Sequence, residues 1–167
     1  MEKHIRYQTH LGKLPNDKEI ALIKLVQNYL EDKSISLNTT DYDIPYIGGY
    51  SNNGEILYID RHFPKELEID GVTVPVYRYV AYHEYIEKTV LTLFNVKYQE
   101  AHKLATHAEN RKVAMLGINP AHYEASLLPH IKTIEHEQLK NVPKDLDLTP
   151  YEDENDKNTL KRLMVTA

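Results

Sequence analysis

The stretch Val80-Ala81-Tyr82-His83-Glu84-Tyr85-Ile86-Glu87-Lys88 constrains this chain more than any other. A helix turns about 100° per residue, so one running from about Val76 to Phe94 gathers Val76, Tyr79, Val80, Ile86, Val90, Leu91 and Phe94 within roughly 80° of His83. His83 and Glu87 then sit in the middle of an apolar face, one turn apart, with Glu84 at its edge. Burying an ionisable side chain is costly unless it is paired. Any fold that buries this face must therefore supply a partner for both groups, and a metal ion is the most economical one.

Composition narrows what that partner and its setting can be. The 167 residues suffice for one domain with a real core. A formal charge of −5 without a basic run argues against nucleic acid as a partner. No apolar run approaches the ~20 residues of a membrane span and no signal-peptide core opens the chain, so a cytoplasmic protein without a membrane partner is expected. There is no cysteine, which excludes disulfides and leaves histidine and carboxylates as the metal ligands. Thirteen tyrosines stand against two phenylalanines and no tryptophan. Tyrosines at such density line a polar groove or edge an amphipathic core.

Along the chain, Met1 to Leu14 reads as extended or irregular, and Pro15-Asn16-Asp17 opens a helix running to about Lys33. Ile44 to Ile47 and Glu55 to Asp60 are strand-like, with Gly48-Gly49 and Asn53-Gly54 as turn chemistry between them. Glu68-Ile69 and Val72-Thr73-Val74 form a short hairpin about Asp70-Gly71, and Pro75 leads into the central helix. A second helix spans about Lys97 to Leu116, closed by Gly117. A third starts at Asn119-Pro120 and reaches about Leu139, with Pro129 a point of interruption. From Asn141 the composition turns polar, and Glu152 to Asp156 is an acidic cluster. The expected class is α+β, a small antiparallel sheet packed on a helical core. Residues 1–140 form the domain, and 141–167 a polar, surface-wrapping or disordered tail with a short helix near Leu160 to Met164.

His83-Glu84-x-x-Glu87 places two ligand types one turn apart, with a second carboxylate beside the first. H-E-x-x-H zinc sites have the same mechanics: two ligands on one helix face and a Glu placed to take a proton from activated water. Carboxylate oxygen is an acceptable zinc ligand, so Glu87 fits the second position. A third ligand must come from elsewhere, and His102, His107 and Glu109 all lie on the next helix. Ala101, Leu104, Ala105, Ala108 and Met115 mark the buried face of that helix, with His102 and Glu109 at its edge. His107 falls with Glu100, Lys103 and Asn110 on a face that reads as solvent. His102 is therefore the expected third ligand, with Glu109 behind it or in its place and His107 ranked below.

His83-Glu84-Tyr85-Ile86-Glu87, preceded by the strand Ile56 to Asp60 and followed by a ligand-bearing helix, resembles the zincin metallopeptidases over residues 44 to 116. The departure is Glu87, standing where that family has its second histidine. The resemblance implies a zincin-like order of elements, a Zn2+ or other divalent ion, and His83 as ligand with Glu84 as general base. It also implies a peptide or protein substrate laid as an added strand along Glu55 to Asp60. Tyr82, Arg78, His122 and Tyr123 are unranked candidates for stabilising an oxyanion. A carboxylate-bridged di-metal bundle would need Glu-x-x-His pairs on its helices, and none is suitably placed. The alternative is a non-enzymatic structural or interaction protein in which His83, Glu87, His102 and Glu109 form a buried polar network.

Overall fold

The computed structural model describes residues 35–166. The irregular N-terminal stretch and the helix expected over 15–33 lie outside the described residues. Within them the elements run β1 (Ser36–Asn38), β2 (Gly48–Tyr50), β3 (Ile56–Ile59), β4 (Leu67–Ile69) and β5 (Val72–Val74). The helices follow: α1 (Val76–Leu93), α2 (Tyr98–Met115), α3 (Pro120–Glu135), α4 (Thr149–Asp153) and α5 (Lys157–Val165). The architecture is mixed α+β, with one sheet of three strands and one of two.

The larger sheet has the order β1-β3-β2 and is mixed, since β1 runs parallel to β3 while β2 is antiparallel. Two expectations are corrected here. The strand expected at Ile44 to Ile47 begins instead at Gly48, because Tyr46 and Ile47 turn the chain with φ of 64° and 63°. Gly48-Gly49 is strand and not turn. Its missing side chains admit close neighbours: a Cβ on Gly48 would lie 2.8 Å from Glu84 Oε1, and one on Gly49 2.9 Å from Leu146 Cδ1. The bend between β2 and β3 is held by Ser51 Oγ and Asn53 Oδ1, which accept from the Ile56 and Glu55 amides. The β4–β5 hairpin forms as expected, with Asp70 and Gly71 both at positive φ in a two-residue loop.

Helix α1 lies between α2 and the β2–β3 pair. Its Val76, Val80, Ile86 and Val90 are at most 1% exposed, on the face that the apolar spacing predicts. Ala101, Ala105 and Ala108 of α2 pack against Ile86 and Val90. Side chains this small let two helix backbones approach closely, which brings long polar side chains of each within reach of the other. Helix α2 ends at Gly117, whose φ of 80° is the left-handed conformation that terminates helices. Helix α3 is capped by Asn119 Oδ1 on the Ala121 amide, and it continues through Pro129 to stop at Glu135. Pro129 costs one hydrogen bond, to the carbonyl of Ala125, and both residues are exposed, so water serves that carbonyl.

Residues 141–166, expected as a polar tail, pack against the sheet instead. Leu146, Tyr151 and Leu163 join Ile44, Tyr46 and Tyr58 in one buried cluster. The Asp147 amide donates to the Tyr50 carbonyl along the outer side of β2. The acidic cluster also has structural work: Asp156 caps α5 and accepts from the Tyr46 hydroxyl, while Asp153 Oδ2 accepts from the amide of Tyr98 at the start of α2. Lys97 offers α2 no side-chain cap, so Asp153 supplies it from outside. Asp153→Ala is expected to cost about 1 kcal/mol, read as a lower urea midpoint at unchanged slope.

Candidate metal centre

His83, Glu87 and His102 meet between α1 and α2. His83 Nε2 lies 3.0 Å from Glu87 Oε2 and 3.0 Å from His102 Nδ1, and the third side, His102 Nδ1 to Glu87 Oε2, is 2.9 Å. All three side chains are buried, at 1%, 0% and 6% exposure. These three residues could hold a metal ion. Metal bonds of about 2.0–2.1 Å put neighbouring ligand atoms roughly 2.8–3.4 Å apart for angles between square and tetrahedral, which brackets all three sides.

Proton bookkeeping favours the same conclusion. An imidazole nitrogen has one in-plane site, a hydrogen or a lone pair, and so makes one well-directed hydrogen bond. The triangle asks each ring nitrogen for two. Whichever protons are assigned, one side sets donor against donor, sets acceptor against acceptor, or overloads a single lone pair. A cation facing all three lone pairs removes the conflict.

Partners behind the triangle fix its orientation. His83 Nδ1 is 2.9 Å from Glu109 Oε1, and the Tyr123 hydroxyl donates to Glu109 Oε2. This is the histidine–carboxylate arrangement that orients metal-binding imidazoles. Glu109 therefore stands behind His83, whereas the helical wheel places it behind His102. The Tyr50 hydroxyl donates to Glu87 Oε1 at 2.8 Å. Burial raises the Tyr50 pKa well above its ordinary value, and the neighbouring Glu87 and Glu84 carboxylates raise it further, so the hydroxyl stays a donor. Burial alone would push the His83 pKa down, but Glu109 and Glu87 outweigh it and lift it to about 10. Without a metal, His83 is thus an imidazolium between two carboxylates.

Glu84 is fully buried, its carboxylate against Gly48 of β2 and within electrostatic reach of Tyr50, whose hydroxyl is on Glu87. His107, placed on a solvent face by its spacing, is only 4% exposed, and its neighbour Asn110 only 1%. Met115, assigned to the core, is 78% exposed. Both corrections have one cause: α3 also packs on α2, so residues 105–110 are buried all round, whereas in the last turn Val113 alone is buried. Comparison with protein-family models, curated proteins and solved structures returned no match. Among the described residues no helix is long and apolar enough to cross a membrane.

Of the four oxyanion candidates, Tyr123 is engaged with Glu109, and His122 lies at the surface on Asp70. Arg78 contacts the Tyr77 hydroxyl, and the Lys112 ammonium sits over the Tyr82 ring. Sequence reasoning missed Tyr50 and Tyr98, the latter 3.4 Å from His102 Nδ1 through its hydroxyl. The tyrosine excess was the available signal: the rings of Tyr50, Tyr98 and Tyr123 are core, and their hydroxyls face the centre.

Glu124 of α3 borders the site. It is 6% exposed and accepts from Asn110 Nδ2, with Glu109 and His83 as its charged neighbours from α2 and α1. Burial raises its pKa to about 7, helped by Glu109 and opposed by the Asn110 hydrogen bond and His83. The folded state therefore keeps a proton that the unfolded chain releases near the ordinary carboxyl value of 4.5. The stability associated with that proton is complete below pH 4.5 and is lost as pH rises through about 7. Glu124→Gln keeps the acceptor and removes this slope. With each pKa unit worth about 1.4 kcal/mol, chelator-treated variant at pH 8 is expected to gain on the order of 3 kcal/mol over wild type, measured by urea unfolding across pH.

Proposed function

We propose that this protein is a metal-dependent hydrolase, a zinc peptidase in its simplest form, with His83, Glu87 and His102 holding the ion and Glu84 as general base. The triangle of three buried ligand atoms about 3 Å apart, the spacing that a shared ion would impose, carries this conclusion. A divalent ion held there would supply a Lewis acid that polarises a carbonyl and lowers the pKa of water toward neutrality. Glu109 holds His83 in one ring orientation, and Tyr50 fixes the second oxygen of Glu87, so both ligands are set before an ion arrives. Glu84 follows His83 in the chain and is shielded from solvent. A run of strands, a helix bearing the motif and then a helix bearing His102, in that order, support the zincin-like reading.

The resemblance implies a peptide substrate, but the seat that it implies along Glu55 to Asp60 is closed. Strand β3 is paired on both sides, by β1 and β2, so Glu55 to Asp60 has no edge to offer an added strand.

One observation favours the second reading, a buried network that stiffens the contact between α1 and α2. Every contact in the cluster is also within hydrogen-bond range, and none of its members exceeds 6% exposure. Elemental analysis of protein purified without added metal decides between them. About one zinc or similar ion per chain is expected; protein that purifies metal-free and takes up none on titration with zinc is the buried network.

A further inference from the structure

A second group of metal-ligating side chains lies away from the α1–α2 centre. Asp43 precedes β2, Asp60 and His62 follow β3, and Glu137 follows α3. Each offers one ligand atom, and the four atoms lie within 4.8 Å of one another. The spacing suggests solvated charge at both places, Asp60-Arg61-His62 as a charged strand end and Glu135 to Glu137 as an exposed face. Instead Asp43 and Asp60 are fully buried.

Backbone amides hold three of the four aspartate oxygens, Asp60 Oδ1 accepting from the His62 amide at 2.9 Å. Asp43 Oδ2 accepts from the Lys140 and Asn141 amides, and Asp60 Oδ2 from the Ile44 amide. Asp43 Oδ1, which accepts from Arg61 Nε, and Asp60 Oδ1 lie 3.9 and 3.6 Å from His62 Nδ1, which is itself 2.7 Å from Glu137 Oε2. The two longer distances exceed a hydrogen bond but suit neighbouring ligands on a cation with bonds of about 2.1–2.5 Å.

Glu137 separates this group from an ordinary acidic patch. Its side chain is 12% exposed, its carboxyl lies against that of Asp60, and no donor among the described residues reaches its buried Oε1. The Arg61 guanidinium binds one of the three carboxylates, Asp43, at 2.8 Å. Carboxylates pressed together out of water need a proton or a cation between them. We infer that Asp43, Asp60, His62 and Glu137 form a second cation site, separate from the His83 centre and selective for an oxygen-preferring divalent ion such as Mn2+. Three carboxylate ligands and one imidazole match that class of ion better than they match the thiophilic metals. By joining the segment after α3 to the turns on either side of β2 and β3, the ion would fasten the loop of residues 136–141 to the sheet.

The test is titration of the whole chelator-treated chain with Mn2+, free ion being followed by electron paramagnetic resonance. His83→Ala/His102→Ala is expected to keep one Mn2+ site, and Glu137→Gln and His62→Ala to weaken that site at least tenfold. His62 is more than half exposed, so its variant folds whatever becomes of Glu137→Gln. A shared proton is the competing account: the amide introduced by Glu137→Gln would then replace it, and Mn2+ would neither bind nor raise the thermal midpoint. Absence of Mn2+ uptake in the His83→Ala/His102→Ala protein, or unchanged affinity in His62→Ala, overturns the second site.

Discussion

Glu84→Gln is expected to leave the metal content at the wild-type value and to lower peptide hydrolysis by about 10²–10⁴-fold, the usual contribution of a positioned general base. Retention of metal is expected because Glu84 is not among the three residues whose ligand atoms meet. The amide matches the carboxylate in size, so the tight fit against Gly48 survives. Turnover is measured on a mixed peptide pool by mass spectrometry, and metal by elemental analysis of the same preparation. A variant that hydrolyses at the wild-type rate removes Glu84 from the chemistry, whatever the fate of the ion.

The second large effect concerns the ligands. His83→Ala and His102→Ala each remove one corner of the triangle and are expected to abolish stoichiometric zinc binding. Glu109→Gln is expected to weaken it by a smaller factor, about 10–100-fold, because it disturbs only the orientation and basicity of His83. Competition against a zinc-sensing dye reads all three. The order of effects matters as much as their size: if Glu109→Gln loses more metal than His102→Ala, then Glu109 and not His102 is the third ligand.

The ligand face of α1 was legible because His83 and Glu87 interrupt an apolar period that otherwise has one meaning. The place of His102 beside His83 and Glu87 was legible for the same reason, as it borders the alanine stripe that α1 packs on. His107 and Met115 were misplaced because a wheel presumes one buried side, and α2 is covered on two along its middle. Strand β1, Ser-Leu-Asn, carries no alternation that would announce it; pairing with β3 makes it a strand. The contact of Tyr50 with Glu87 joins residues 37 apart on different elements, and nothing in local periodicity encodes such a pair. Residues 141–166 misled through composition. Their few apolar side chains are widely spaced and find partners among tyrosines and isoleucines far upstream.

Asp153 holds the first amide of α2 from 55 residues further along the chain. During synthesis, then, both histidines and Glu87 leave the ribosome well before the group that anchors the helix carrying one of them. An ion taken up at the proposed centre before α4 has emerged and docked would meet a less firmly anchored α2.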